Sequence, residues 1–332
     1  MMRIAAEAYA RAGLLGNPSD GYFGKTIAAV IKNFSAQVWM SESRDLRICA
    51  SEDELEIYQN GKELIDKTNL YGYHSGRPLI KAAIKVFFDY CRSQNIPVED
   101  KNFVIWYESA IPRQVGLGGS SAIIVAALRG LMKFYAVDIP IELQPTLALR
   151  AEVDELGINA GFMDRVVQVY EGCVYMDLDR SLIEKRGYGL YERLDSRILP
   201  QLYLAYRPDL SKVSGRALND IRLAYERKDA STLTALNRLA EIAAEGREAH
   251  LRQDFARWPA LMNENFDLRS RIMRISKSNL EMIMTARRCG ASAKFAGSGG
   301  SIIGIYDGED MYERLARELD RLGATVLKPT IE

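Results

Sequence analysis

The chain has 332 residues, 48% hydrophobic and 27% charged, with Lys+Arg and Asp+Glu both at 44, so its formal net charge is zero. This length supports a large core and two domains. The charge balance excludes the broad basic field of a nucleic-acid or anionic-membrane binder, so any anionic ligand must be held by local groups. The cysteines Cys49, Cys91, Cys173 and Cys289 stand far apart without a CxxC pair, and His74 and His250 are the only histidines. That speaks against zinc and for reduced, partly buried thiols.

The first residues, MMRIAAEAYARAGLLG, are interrupted by Arg3, Glu7 and Arg11 and lack the apolar core of a secretion signal. No run approaches the roughly 20 apolar residues of a membrane span, which predicts a cytoplasmic protein with no membrane partner. Residues 3–15 read as strand, GNPSDGYFG as turn, and Ile27–Met40 and Arg47–Tyr58 as further strands. Pro78–Cys91 has helical spacing, and Asn102–Glu108 (NFVIWYE) is a β-branched and aromatic strand. A glycine-rich loop follows, then AIIVAALRGLMKFY, a helix apolar enough at its start to be buried. Gln144–Leu156 reads as a helix ended by Gly157, Asp164–Tyr170 as a short helix and Cys173–Leu178 as a strand. The texture changes near residue 195. Leu199–Tyr206 reads as strand, 216–253 as one or two helices, and 258–289 as helical. Ser292–Phe295 and Ser301–Tyr306 are strands around a glycine-rich turn, followed by a helix over Glu309–Leu322 and a strand over Ala324–Pro329. The domains expected are 1–194 and 195–332.

Four segments carry chemistry. Pro112-Arg113-Gln-Val-Gly116-Leu117-Gly118-Gly119-Ser120-Ser121-Ala122 lies between a strand and a buried helix. Its glycines let backbone N–H groups turn toward a ligand, and the helix start adds unpaired N–H groups and partial positive charge. Together they form a phosphate cradle, although no Gly-Lys-Ser/Thr makes it a Walker loop. Glu152 and Asp164 follow, separated by Gly157 and Gly161. One carboxylate at a magnesium ion and another near the reacting hydroxyl suit phosphoryl transfer. Lys294-Phe-Ala-Gly297-Ser298-Gly299-Gly300-Ser301 is either a hairpin turn or a backbone surface against a ligand. In Arg11–Asp20, Arg11 can pair with phosphate, and Asn17 and Asp20 suit sugar hydroxyls.

In this order the segments resemble the three motifs of the GHMP kinases, with residues 11–20, 112–122 and 294–301 in those places. Within the family the stretches AYARAGLLGNPSDGYFGKTI, IPRQVGLGGSSAI, ELGINAGFMDRVVQVYEG and SAKFAGSGGS are similar to the glucuronokinases. The resemblance implies an α+β GHMP kinase fold: an N-terminal domain like ribosomal protein S5 domain 2, and a ferredoxin-like C-terminal α/β domain. It implies ATP and Mg2+ and a sugar or sugar-acid substrate, D-glucuronate phosphorylated at the anomeric position. Other acceptors within the family are a heptose phosphate, an aldohexose or a mevalonate-type alcohol, and some relatives only sense ligands.

Residue by residue, it gives Asp164 and Arg11 catalytic places and Glu152 a metal place, with Ser120 or the adjacent Ser121 as the second metal ligand. It puts Pro112, Gly116, Leu117, Gly118, Gly119, Ser120, Ser121, Ala122, Gly297, Ser298 and Gly299 at the nucleotide, and Asn17 and Asp20 at the sugar. Arg113 and Arg165 are the cations expected to meet a substrate carboxylate. Asn17 stands where galactokinases commonly have Glu, which argues against galactose.

Overall fold

A computed structural model of the chain describes residues 3–49, 55–73, 77–210 and 214–332. His74 and the middle of the strand expected over Arg47–Tyr58 lie outside the described residues. In chain order the elements are β1 (Arg3–Leu15), β2 (Lys25–Ser43), β3 (Leu46–Cys49), β4 (Leu55–Tyr58), α1 (Gly61–Tyr71), α2 (Pro78–Ser93), β5 (Asn102–Ser109) and α3 (Gly119–Tyr135). Then come α4 (Gln144–Arg150), α5 (Met163–Tyr170), β6 (Cys173–Asp177), α6 (Arg180–Arg186), β7 (Leu190–Leu194) and β8 (Leu202–Tyr206). The last are α7 (Ser214–Glu226), α8 (Ala230–Leu251), α9 (Trp258–Ile272), α10 (Lys277–Arg288), β9 (Lys294–Phe295), β10 (Ser301–Ile305), α11 (Gly308–Asp320) and β11 (Thr325–Leu327).

β2 is the spine of the first sheet. One of its edges carries β1 antiparallel for nearly the whole length; the other is shared between β6 near its start and β5 near its end. The order is β4-β3-β5-β2-β6-β7, with β1 against β2, and β3 runs parallel to β5. Alternation in β1 buries Ala8, Ala10 and Ala12 completely. These small side chains leave room for α3, which packs on β1 and β2 and buries Ile123, Ile124, Val125, Leu128 and Leu131. Each such branched side chain contributes about 1.5–3 kcal/mol when fully buried.

β7 ends the first sheet at Leu194, and β8 opens a second one ordered β11-β8-β10-β9. The period of two in β8 sends its side chains to separate cores. Tyr203 and Ala205 meet Met282, Ile283, Leu315 and Leu319 of α10 and α11, whereas Leu202 and Leu204 join the core of the first sheet. Among the described residues no helix is long and apolar enough to cross a membrane. The four cysteines are free, and Cys91, Cys173 and Cys289 are buried.

Two expectations are corrected and two, the helical runs at 216–253 and 258–289, are borne out and refined. Arg47–Tyr58 holds two strands, β3 and β4, paired antiparallel. The helix expected over Gln144–Leu156 is α-helical only to Arg150; Ala151–Glu155 form a wider π turn. The run at 216–253 is two helices because Asp229 caps α8, accepting from Thr232 N at 2.8 Å. The run at 258–289 is likewise two, since Ser276 caps α10 by accepting from Asn279 N at 3.3 Å.

His250, at the end of α8, is 2% exposed and packs edge-on to Phe255 and beside Trp258. Neither ring nitrogen has a hydrogen-bond partner. Burial lowers its pKa, opposed by the charges of Asp195 and Glu192. The neutral form is thus favoured in the folded state, while the unfolded chain takes a proton near the ordinary value of about 6.5. Stability is complete above that pH and is lost as pH falls toward the lowered folded value. Thermal melts from about pH 8 to about pH 5 should show wild type losing more stability on acidification than His250→Leu. Parallel pH profiles for the two proteins would remove His250 as the cause.

Candidate active site

The loop between β5 and α3 is built on glycine. Gly118 holds φ 75° and ψ 33°, a left-handed conformation that side chains resist, and it starts α3. Its carbonyl accepts from Ala122 N at 3.0 Å, Ser121 Oγ at 3.0 Å and Gln168 Nε2 at 2.8 Å. Ser121 is thereby turned inward and fully buried. Ser120, one residue earlier and about 100° around the helix, donates from Oγ to Glu152 Oε1 at 2.6 Å. Of the two serines, Ser120 faces the cavity; Ser121 and Ala122 lie behind the loop and do not line it.

The cavity has a volume of about 1500 Å3, larger than a single small-ligand pocket of ~300–1000 Å3. Pro112, Arg113, Gly116, Leu117, Gly118, Gly119 and Ser120 form one wall. Gly297 and Ser298 reach it from the β9–β10 turn, but Gly299 does not. A Cβ on Gly297 would run into the Gly116 carbonyl, so the two glycine segments approach backbone to backbone. Ser301 Oγ adds a bond to Val115 O at 2.7 Å.

The acids come from α4, α5 and the link between them. The π turn after α4 carries Glu152, which is completely buried. Glu155 in the same turn accepts from Lys85 at 2.6 Å and from the Tyr73 hydroxyl at 2.8 Å. The turn is thus anchored on one side while Glu152 faces Ser120 on the other. Asp164, in the first turn of α5, accepts from Arg11 Nη2 at 2.5 Å. Arg11 also donates to the Gly116 carbonyl at 2.6 Å.

Arg165 is 4% exposed and pairs with Glu152, with Asp164 Oδ2 at 3.8 Å and with Gly161 O at 2.8 Å. Expected as a cation for the substrate, it is engaged by the site's own acids. Burial foremost, and then Arg11, lowers its pKa. Arg113 is exposed on the loop wall.

Asp20 accepts from Met163 N at 3.2 Å; burial first, and next the Asp164 carboxylate, raises its pKa. Asn17 is 2% exposed, and its Oδ1 accepts from Lys294 Nζ at 2.6 Å. Lys294 completes its donors on Gly13 O at 2.7 Å and Phe295 O at 2.8 Å. Burial, ahead of the charges of Arg269 and Arg11, depresses its pKa well below the ordinary lysine value.

Sequence reading missed three parts of the wall. Arg77, Leu79 and Tyr107 line the end beside β5, with the Arg77 guanidinium 5.1 Å from the Tyr107 ring centroid. Arg222, Tyr225 and Glu226 of α7 line another side, where Tyr225 packs 4.7 Å from Tyr22. Arg269 of α9 is the third. Only Arg269 left a readable signal, lying four residues after Asn265 as a polar pair on one helix face.

A Mg2+ ion suits the Ser120–Glu152 pair: two oxygen donors that already meet at 2.6 Å, beside a helix start that favours phosphate. Among the described residues no cluster of three His, Cys, Asp or Glu exists.

Comparison with known proteins bears on the family. The model described as the GHMP kinases N terminal domain matches residues 78–172. A probable glucuronokinase of Arabidopsis thaliana is 40% identical over 328 residues, covering 97% of this chain and 89% of that protein. Glucuronokinase 1 of the same plant is 38% identical over 330 residues, 97% of this chain and 91% of its own. The structure of Lactococcus lactis galactokinase complexed with galactose superposes with a TM-score of 0.80 over 99% of this chain and 93% of that one; at 12% identity this shows the fold alone. With identity near 40% sustained over almost the full length of the plant relatives, this chain belongs to the GHMP kinases.

Proposed function

We propose that the protein transfers the γ-phosphoryl group of ATP to the anomeric hydroxyl of D-glucuronate, giving glucuronate 1-phosphate and ADP. The observation that supports this best is the full-length likeness to two glucuronokinases, joined to a site in which Glu152 meets Ser120 and Arg11 links Asp164 to the loop. Residues 1–194 supply the loop and the acids; residues 195–332 close over them through Gly297 and Ser298.

The phosphates of ATP lie on the N–H groups of Gly119 and Ser120 at the start of α3, and the nucleoside extends toward Tyr107 and Leu79. Ser120 and Glu152 would hold Mg2+, which would screen phosphate charge. Asn17 and Asp20 orient the sugar. The acceptor oxygen forms the new bond to phosphorus as the bond to ADP breaks, and Asp164 receives the hydroxyl proton. Arg11 holds Asp164 against the loop and steadies charge on the moving group. Positioning and charge stabilisation carry most of the rate.

Asp164→Asn keeps an oxygen to accept from Arg11 but loses the proton acceptor. Its kcat should fall about 10²–10⁴-fold while binding of a fluorescent ATP analogue is kept; near-normal turnover would take Asp164 out of the reaction. Glu152→Gln should move the magnesium titration of the rate to higher concentration, and an unchanged titration counts against Glu152 as a metal ligand. ADP release measured on glucuronate, an aldohexose, a heptose phosphate and mevalonate should be fastest on glucuronate. A different winner in that panel replaces the substrate and leaves the kinase.

A further inference from the structure

We infer that Arg269, outside all three motifs, reads the carboxylate of the sugar acid. This rests on the glucuronate reading above and deepens it. α9 presents Asn265 and Arg269 one turn apart on a single face, and both are buried. Asn265 Oδ1 accepts from Gly16 N at 2.6 Å, and its Nδ2 donates to Asn17 O at 3.1 Å. That face is therefore pinned to the loop that carries Asn17 and Asp20. One turn further along, Arg269 reaches the cavity wall.

The donors of Arg269 are only partly satisfied. Nη1 donates to Gly297 O at 2.7 Å, Nε faces Met273 Sδ at 3.1 Å, and the guanidinium lies 5.3 Å from the Phe295 ring centroid. Nη2 is buried with no partner. These contacts lock the plane of the fork and leave Nη2, on the edge it shares with Nη1, to complete. That edge matches the two oxygens of a carboxylate. Among the described residues Arg269 makes no ion pair, whereas Arg11 and Arg165 are held by Asp164 and Glu152 and Arg113 is exposed. Asp20 attracts this guanidinium without bonding it, and a ligand that brings its own negative charge completes its unpaired donor.

The chemistry of the acceptor favours this place. In the ring form of a hexuronate, the carbon bearing the carboxylate and the anomeric carbon flank the same ring oxygen. The group that reads the carboxylate must therefore sit close to the group that takes the anomeric proton. Arg269 donates to Gly297 O, a Cβ at Gly297 would come 2.7 Å from Arg11 Nη1, and Arg11 bonds Asp164.

The test is calorimetric titration of D-glucuronate and of D-glucuronamide, its neutral analogue, into wild type, Arg269→Lys, Arg269→Gln and Arg269→Met. Wild type should bind glucuronate about tenfold or more tightly than the amide. In the Gln and Met variants that ratio should collapse to about one, with Lys between, because it keeps the charge and loses the fork. The KM for glucuronate should rise more than kcat falls, and binding of an ATP analogue should be kept. If the Met variant does not fold, Gln and Lys carry the comparison. A wild type that discriminates, with variants that keep its ratio, overturns the role of Arg269 and leaves the glucuronate reading standing. A wild type that does not discriminate sinks both.

Discussion

Arg11 ties three separate pieces of chain together at one buried point. Its backbone N–H donates to Leu117 O at 3.0 Å, Nη1 to Gly116 O at 2.6 Å and Nη2 to Asp164 at 2.5 Å. The residue is 5% exposed, so its charge needs a partner inside the protein. Removing one member of such a buried pair costs about 3–5 kcal/mol. The direction of Arg11 comes from the sheet: register shifts between Tyr9 and Ala10 and between Gly13 and Leu15 bracket it on β1. Such irregularities re-aim a side chain where regular pairing would not. The glycine-rich loop and Asp164 are therefore located by the same residue, and the fold and the site cannot be perturbed separately there.

The second half of the chain is fastened to the first by polar seams where backbones come close. Gly13 N donates to Ala296 O at 2.7 Å, and Lys294 reaches across to Gly13 O and Asn17 Oδ1. Asn265 holds the same Gly16–Asn17 turn from α9. The consequence is functional. The Gly16–Asn17 turn and the turn at Gly297 each meet the other half, so the two sides of the cavity share one frame.

Much of this was legible in the sequence, and what was not has physical reasons. α3 and the long strands were readable because their apolar periods are strong and long. α1 was missed because only Leu64, Ile65 and Thr68 are buried on it, too narrow a stripe to stand out. Its better signal was the cap, Asn60 accepting from Glu63 N at 3.0 Å while Glu63 accepts from Gln59 N. α6 buries nothing, so it has no period to read. The resemblance put Ser120 at the metal but left Ser121 open as the alternative, since neighbours in sequence differ only in which way a helix turns them. The π turn at Glu152 was out of reach because the bonds that anchor it, from Lys85 and Tyr73 to Glu155, join residues 70 and 82 positions apart.

The buried cations sort themselves by how their donors are used. Lys294 has three N–H bonds to give and three oxygens that receive them, Gly13 O, Asn17 Oδ1 and Phe295 O. Nothing is left over, and the residue belongs to the seam. The buried arginines are different: Arg11 Nε, Arg165 Nε and Arg269 Nη2 lack partners and all three residues line the cavity, while half-buried Arg47 and Arg287, away from it, also leave Nε unpaired. An unpaired donor on a buried cation is unfavourable in a structural residue, because water cannot reach it and folding gains nothing from it. It is tolerable where anionic oxygens are the ligand. A chain of zero net charge has no long-range field to gather phosphates and a sugar acid, so attraction must come from guanidinium groups kept short of partners at the cavity itself. The forked shape of arginine makes this feasible, since one edge can anchor to protein while another is held in reserve.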